Sequence, residues 1–257
     1  MLELNKIVKI YNIGTANEHQ LFDDFNLTVK TGEFVSVIGS NGSGKTTMLN
    51  IICGTIPMES GDILLDKKSI KKIPDYKRTK RIGRVYQDPG MGTCGDLTIL
   101  ENMALADCKG KSFNLKFGVN KKRIPYYQEL LQQLNLGLEN NMNTKVGSLS
   151  GGQRQAMALL MSTMADLDFL ILDEHTAALD PKTAETIMEL TNTIVQKKAL
   201  TTIMVTHNLR HAQTYGSRLI MMDKGEIILD KKDKEKEAVT VEYLLKIFND
   251  ISVECGN

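Results

Sequence analysis

The sequence contains no tryptophan and few aromatic residues of any kind, 5% of the chain. Nothing about function follows from that scarcity. Cys53, Cys94, Cys108 and Cys255 are the only cysteines, and they show no CxxC or other metal-ligand spacing. They are too few for a disulfide framework and are expected to stay reduced thiols. No apolar run approaches the roughly 20 residues that cross a bilayer, and the start of the chain lacks the pattern of a signal peptide. A cytoplasmic location is therefore expected. Excess charge is missing too. With 25% charged residues and a formal net charge of +1, nothing argues for nucleic acid as a partner. What remains is a chain of 257 residues, long enough for a substantial core.

The stretch that organises it is Gly39-Ser40-Asn41-Gly42-Ser43-Gly44-Lys45-Thr46-Thr47, which fits G-x-x-x-x-G-K-[ST]. Residues 34–38, Phe-Val-Ser-Val-Ile, read as a buried strand before it, and residues 48–53 read as a helix after it, stopped by Gly54. Strand, glycine-rich turn and helix are the context in which this pattern binds phosphate. The glycines allow successive N–H groups to face a polyphosphate, and the helix start adds partial positive charge. Lys45 would reach the β- and γ-phosphates, and the Thr46 hydroxyl would take a place on Mg²⁺. A nucleoside triphosphate is the expected ligand. By itself the loop would equally fit a kinase, a GTPase or a motor.

Elsewhere the chain supplies candidates for the rest of such a site. Residues 2–11 and 21–29 read as strands of an antiparallel edge. Tyr11 ends the first of them, where an aromatic either stacks on an adenine ring or is an ordinary strand-end tyrosine. Residues 67–84 are rich in lysine and arginine and are expected to form a solvated face. Gln87 closes the strand at residues 82–86, at the carboxyl edge where α/β folds bind ligands. From residue 97 the pattern turns helical: Thr98 and Glu101 form a capping-box pair, and Tyr127, Leu130, Leu131 and Leu134 have amphipathic helical spacing. Between these helices residues 109–123 read as a polar, basic loop. Leu149-Ser150-Gly151-Gly152-Gln153 then opens another helix, a second anion-binding start or a flexible capped turn. Residues 168–174 form an apolar strand ending in Asp173 and Glu174. Asp173 is the candidate Mg²⁺ carboxylate and Glu174 the candidate general base for water. His207 follows the strand at residues 201–205, in position to donate to a γ-phosphate. A hairpin is expected around Asp223-Lys224-Gly225, and an amphipathic terminal helix and tail after residue 230.

Taken in order, these motifs resemble the ATP-binding subunit of an ABC transporter over nearly the whole chain. The phosphate loop, Gln87, an unaltered LSGGQ at residues 149–153, the strand ending in Asp173 and Glu174, the loop Ala178-Leu179-Asp180 and His207 all fall where that family has them. The resemblance implies an α/β P-loop NTPase (RecA-like) core with an N-terminal antiparallel β subdomain and an inserted α-helical subdomain. It divides a single ABC ATPase domain, 1–257, into a core at 1–87 and 167–229, a helical insertion at 88–166, and a C-terminal helix and tail at 230–257. It makes Tyr11 the adenine-stacking residue and adds Gln87 to Thr46 and Asp173 at the metal. It implies ATP and Mg²⁺ as ligands and a second copy as head-to-tail dimer partner, with Ser150, Gly151, Gly152 and Gln153 acting across the interface. Separate membrane permease subunits would hold the protein at the inner face of the membrane, with an extracytoplasmic solute-binding protein expected in the same system. Many family members have proline where this chain has His175, which introduces a titratable group beside the site or a simple backbone variant. The Asp-Glu-His-Thr sequence is similar to ATPases of bacterial importers, some for aromatic amino acids. An exporter ATPase shares these motifs. A soluble relative acting on ribosomes or DNA would be expected to carry a second cassette or long coiled coils, and neither is in the sequence.

Overall fold

The computed structural model describes residues 1–109, 111 and 118–254. β1 (Leu2–Tyr11) and β2 (His19–Val29) pair antiparallel. β3 (Phe34–Gly39) runs into the glycine-rich loop and α1 (Lys45–Cys53). β4 (Ser60–Leu65) pairs with β1 and with the short β5 (Lys68–Ser69), and α2 (Asp75–Arg78) leads to β6 (Ile82–Val85). Next come α3 (Ile99–Asp107), α4 (Ile124–Gln132) and α5 (Gly151–Ser162). β7 (Phe169–Asp173), α6 (Pro181–Lys198), β8 (Thr201–Val205), α7 (Leu209–Thr214) and β9 (Arg218–Asp223) follow. β10 (Glu226–Lys232), α8 (Asp233–Glu237) and α9 (Val241–Glu254) complete the order.

Among the described residues the strands form two sheets. The first, in order β2-β1-β4-β5, is antiparallel; the second, β10-β9-β3-β8-β7-β6, is parallel except at its β9–β10 hairpin edge. The central strands β7 and β8 alternate between two cores. Phe169 and Ile171 of β7, and Ile203 and Val205 of β8, join Leu2, Phe22, Met48 and Ile52, which links that face to α1 and the antiparallel sheet. Leu170, Leu172 and Met204 turn the other way, onto Met188, Ile194 and Val195 of α6. Both faces are covered, which is why these strands read as unbroken apolar runs. A third cluster, with Ile99, Met103, Tyr127, Leu131, Met157 and Leu160, packs α3, α4 and α5 on one another.

Local chemistry sets the ends of the helices. Thr98 and Glu101 form the expected capping box at α3, and Asp180 accepts from the Thr183 N–H at the start of α6 with Pro181 in the first turn. The lysines of the basic segment at residues 67–84 form the solvated face expected of it, with one buried exception. Arg78 is buried, and its Nη1 donates to the carbonyls of Ile51 and Ile52, both at 2.9 Å, capping the last turn of α1. A lysine- and arginine-rich run does not reveal which cation will find orphan helix carbonyls. Of the basic loop at 109–123, residues 110 and 112–117 lie outside the described residues; at its end Arg123 pairs with Asp107 at 2.7 Å. Cys255 and the last residues of the tail also lie outside, and Cys53, Cys94 and Cys108 are free thiols. Among the described residues, no helix is long and apolar enough to cross a membrane.

Candidate functional site

Strand order places β3, β8 and β7 side by side, so their carboxyl ends deliver the glycine-rich loop, Thr206-His207 and Asp173-Glu174 to one edge. The loop is pinned from behind: Ser40 Oγ donates to Asp223 Oδ1 at 2.8 Å, and the Gly225 N–H donates to the Ser43 carbonyl at 3.1 Å. Gly44 begins α1 at φ 101°, where a Cβ would lie 2.8 Å from Cε1 of Phe22. Only glycine fits that backbone and that approach. No side chain caps α1, and its first turn has no acidic residue, so its leading N–H groups and dipole are left for an anion.

The edge opens into a cavity of about 350 Å³ lined by Asn41, Gly42, Gly44, Lys45, Thr46 and Thr47 from the loop, Glu174 and His207 from the strand ends, and Tyr11, His19 and Leu21 from the antiparallel sheet. Gly39 and Ser40 line the adjoining cavity with Thr206 and His207. Lys45 donates to the carbonyls of Gly39 at 2.9 Å and Ser40 at 2.8 Å. Burial lowers the pKa of its ammonium, against the opposing pull of Glu174 and Asp173. His207 Nε2 lies 2.6 Å from Glu174 Oε1, joining the ends of β8 and β7 over the loop. Glu174 takes φ 49°, a left-handed conformation unusual outside glycine that turns its chain sharply off β7. Tyr11 shares a 3.0 Å hydrogen bond between its hydroxyl and Thr47 Oγ1, so its ring stands at the wall of the same cavity.

Not every sequence candidate meets there. Gln87 is exposed and does not line the cavity. Asp173 lies behind Glu174, paired to Arg84 Nη2 at 2.6 Å. Ser150, Gly151, Gly152 and Gln153 do not line it either. Ser150 and Gln153 instead close a capping box at the start of α5, with the Gln153 N–H 3.2 Å from Ser150 Oγ and the Ser150 N–H 3.1 Å from Gln153 Oε1. His175 is not a titratable neighbour of the site. Its ring is buried against α6, with Nε2 3.1 Å from Thr191 Oγ1, and burial, then the nearby His211, lowers its pKa to about 3. It is a neutral core residue. Sequence reasoning missed His19 in the cavity wall and the guanidinium of Arg84. Strict cross-strand pairing of Tyr11 with His19 is the register that brings His19 there, and no local pattern announces it.

The sequence pattern of the ABC transporter family matches residues 22–177. The chain belongs to the ABC transporter family. It is an ATP-binding and ATP-hydrolysing member of that family. Among its relatives, a tyrosine transport ATP-binding protein of Clostridioides difficile (strain R20291) is 49% identical over 248 residues, covering 96% of this chain and 98% of its own length. The spermidine/putrescine import ATP-binding protein PotA of Haemophilus influenzae (strain ATCC 51907 / DSM 11121 / KW20 / Rd) is 32% identical over 91% of this chain, which spans 59% of that relative's length. A dimeric post-hydrolysis state of an ATP-binding cassette bound to ADP and Pi superposes with a TM-score of 0.76 at 32% identity, covering 90% of this chain and 98% of that one. The ABC fold, with its P-loop core, is thus established for this chain. For a metal the donor chemistry fits Mg²⁺. The hydroxyl of Thr46 and the carboxylate of Asp173 are hard oxygen donors, and Mg²⁺ commonly takes one or two protein oxygens and completes its shell with phosphates and water.

Proposed function

We propose that this chain is the ATPase subunit of a bacterial importer for an amino acid of the aromatic class. The observation that carries the catalytic part is the Glu174–His207 contact of 2.6 Å in a cavity shared with Lys45 and Thr46. The identity of 49% to a tyrosine transport ATP-binding protein supports the solute class. Tyr11 stacks on the adenine. Residues Gly39, Ser40, Asn41, Gly42, Ser43, Gly44, Thr46 and Thr47 wrap the phosphates with backbone N–H groups and hydroxyls, and Lys45 bridges the β- and γ-phosphates. Thr46, Asp173 and Gln87 would hold Mg²⁺, which would supply positive charge to neutralise the phosphates. Glu174 takes the proton of the attacking water, and His207 donates to the γ-phosphate and orients that carboxylate.

Two copies meet head to tail, so that Ser150, Gly151, Gly152 and Gln153 of one face the γ-phosphate held by the other. That arrangement accounts for an LSGGQ helix start lying outside its own chain's cavity. Within a single ABC domain spanning 1–257, residues 1–87 and 167–229 form the core, 88–166 the helical insertion, and 230–257 the terminal helix and tail; a hydrophobic cluster built mostly from α3, α4 and α5, and joined to the core through Ile187 of α6, supports the division. Gln87 joins core to insertion and relays closure to permease subunits, which hold the protein at the cytoplasmic face of the membrane. An extracytoplasmic binding protein delivers the solute. ATP drives the cycle by binding the closed dimer more tightly than the open one.

Glu174→Gln tests the core of this reading. Turnover should drop at least about 100-fold, as for loss of a general base, while ATP is still bound and a dimer accumulates on gel filtration. Hydrolysis at the wild-type rate would remove Glu174 from its role. Uptake of radiolabelled tyrosine, lost on deletion of the gene and restored by the wild-type chain but not by Glu174→Gln, tests the solute; uptake unaffected by deletion would reject it.

A further inference from the structure

Behind the nucleotide cavity, on β6, stands a cation that none of the roles above uses. Arg84 Nη2 donates to Asp173 Oδ2 at 2.6 Å and Nη1 donates to Asn50 Oδ1 at 2.8 Å. Its guanidinium carbon lies 4.7 Å from the centroid of the Tyr86 ring. The side chains of Arg84 and Asp173 are only 11% and 13% exposed. Asn50 belongs to α1, the helix that begins at Lys45, so one planar fork ties the end of β7 to the helix under the phosphate loop. The backbone around Arg84 is fixed as well. Its carbonyl accepts from Ser162 Oγ at 3.1 Å, and the carbonyl two residues on, of Tyr86, accepts from Gln155 Nε2 at 3.2 Å, both donors on α5.

Stability is a poor reason for this arrangement. A buried ion pair roughly breaks even against apolar side chains of the same volume. Here Nε of Arg84 is also buried with no hydrogen-bond partner among the described residues, which adds a cost. What the fork does achieve is orientation. Asp173 has one oxygen held in place and part of its charge offset, while Glu174, the next residue, is left to His207.

We propose that Arg84 is a positioning residue for the Mg²⁺ of the bound nucleotide, fixing the Asp173 carboxylate against α1 and limiting the negative charge it offers the metal. This rests on the reading of Asp173 as a metal carboxylate. Without the guanidinium, Asp173 carries its full charge and binds the metal more tightly, but swings freely and supports turnover less well.

The test uses the full-length protein with ADP, following the Mg²⁺ concentration that gives half of the metal-dependent thermal shift, alongside kcat and KM for ATP. In Arg84→Met the Mg²⁺ midpoint should fall by at least about fivefold, the scale of a single pair of unit charges about 4 Å apart under near-aqueous screening, since the metal carries two. Its kcat should drop about 10-fold or more, as for other changes to the partners of metal ligands, with KM little altered. Arg84→Lys keeps the charge and should restore the midpoint but only part of kcat. Asn50→Ala keeps the charge and loosens the anchor, lowering kcat at an unchanged midpoint. Arg81→Met, which breaks the pairs of Arg81 with Asp168 and with Asp66 at the other end of β6, should leave both readouts as in wild type. If Arg84→Met does not fold, Arg84→Lys and Asn50→Ala still decide. A wild-type midpoint and wild-type kcat in the folded variants at positions 84 and 50 would overturn the proposal, even if their stability fell. Asp173→Asn separates the two layers: a shifted midpoint there beside wild-type behaviour at Arg84 rejects only the positioning role, whereas no shift at Asp173→Asn rejects the metal carboxylate itself.

Discussion

Two helices of this molecule begin with glycines and a hydroxyl residue, and they begin in opposite ways. α1 starts at Gly44 with no side chain on its free N–H groups, and its first turn borders a cavity in its own chain. α5 starts at Ser150 with a complete capping box and lines no part of that cavity. The glycines differ in the same sense. Gly44 lets the backbone pass Phe22 in a left-handed conformation, whereas Gly152 lies in the helix, where an added Cβ would come 2.3 Å from Cγ2 of Thr183 on α6. The first helix start needs a ligand to satisfy it; the second is already satisfied within its own chain. On the proposed reading the bare start holds ATP from the outset, and the capped one meets phosphate only when a second copy closes over it.

Removing the cation from the bare start should give the largest effect. Lys45→Met deletes charge-assisted bonds worth about 1.5–3 kcal/mol each, so nucleotide affinity measured by calorimetry should fall roughly 10- to 150-fold. Unchanged affinity would mean that this helix start does not hold the phosphates, and the contrast with α5 would collapse. Gly152→Ala tests the capped start. Overpacking against Thr183 should cost about 1–3 kcal/mol in urea unfolding. Adding Thr183→Ala should return most of that stability. The added methyl points at Thr183 of α6, so hydrolysis should recover along with stability in the double variant; hydrolysis that stays low there would show that Gly152 does more than pack.

Much of this contrast was legible in the residues. Strand, loop and helix around Lys45 are contiguous, so sequence pattern alone located them, and the capping residues Thr98 and Ser150 were visible because their partners lie three positions on. Apolar runs located the parallel strands, including residues 201–205, for which the boundaries agree with β8. What stayed hidden depends on contacts distant in the chain. Arg78 reads as one more surface cation until Ile51 and Ile52 present it with helix carbonyls. Arg84 shows no local reason to meet Asp173, 89 residues away. His175 sits beside Glu174 in sequence, but the left-handed Glu174 turns the chain off β7, and only the packing of His175 against Thr191 shows it to be core.

The smallest effect, and the finest separation of the two helix starts, comes from Ser150. In Ser150→Ala the cap is lost, and stability should fall by about 1 kcal/mol. Nucleotide affinity of the isolated chain should not change, since Ser150 lines no part of the cavity. Loss of hydrolysis in that variant would still be ambiguous between a frayed helix and a missing hydroxyl. Ser150→Asp resolves the ambiguity. Aspartate caps a helix about as well as serine and suits its positive end, so stability should return to the wild-type value. A carboxylate facing a γ-phosphate is repelled, so hydrolysis should fall below that of Ser150→Ala while monomer affinity for ATP stays constant. Wild-type hydrolysis in Ser150→Asp would show that the start of α5 never meets a phosphate, and that its two glycines serve only its own fold.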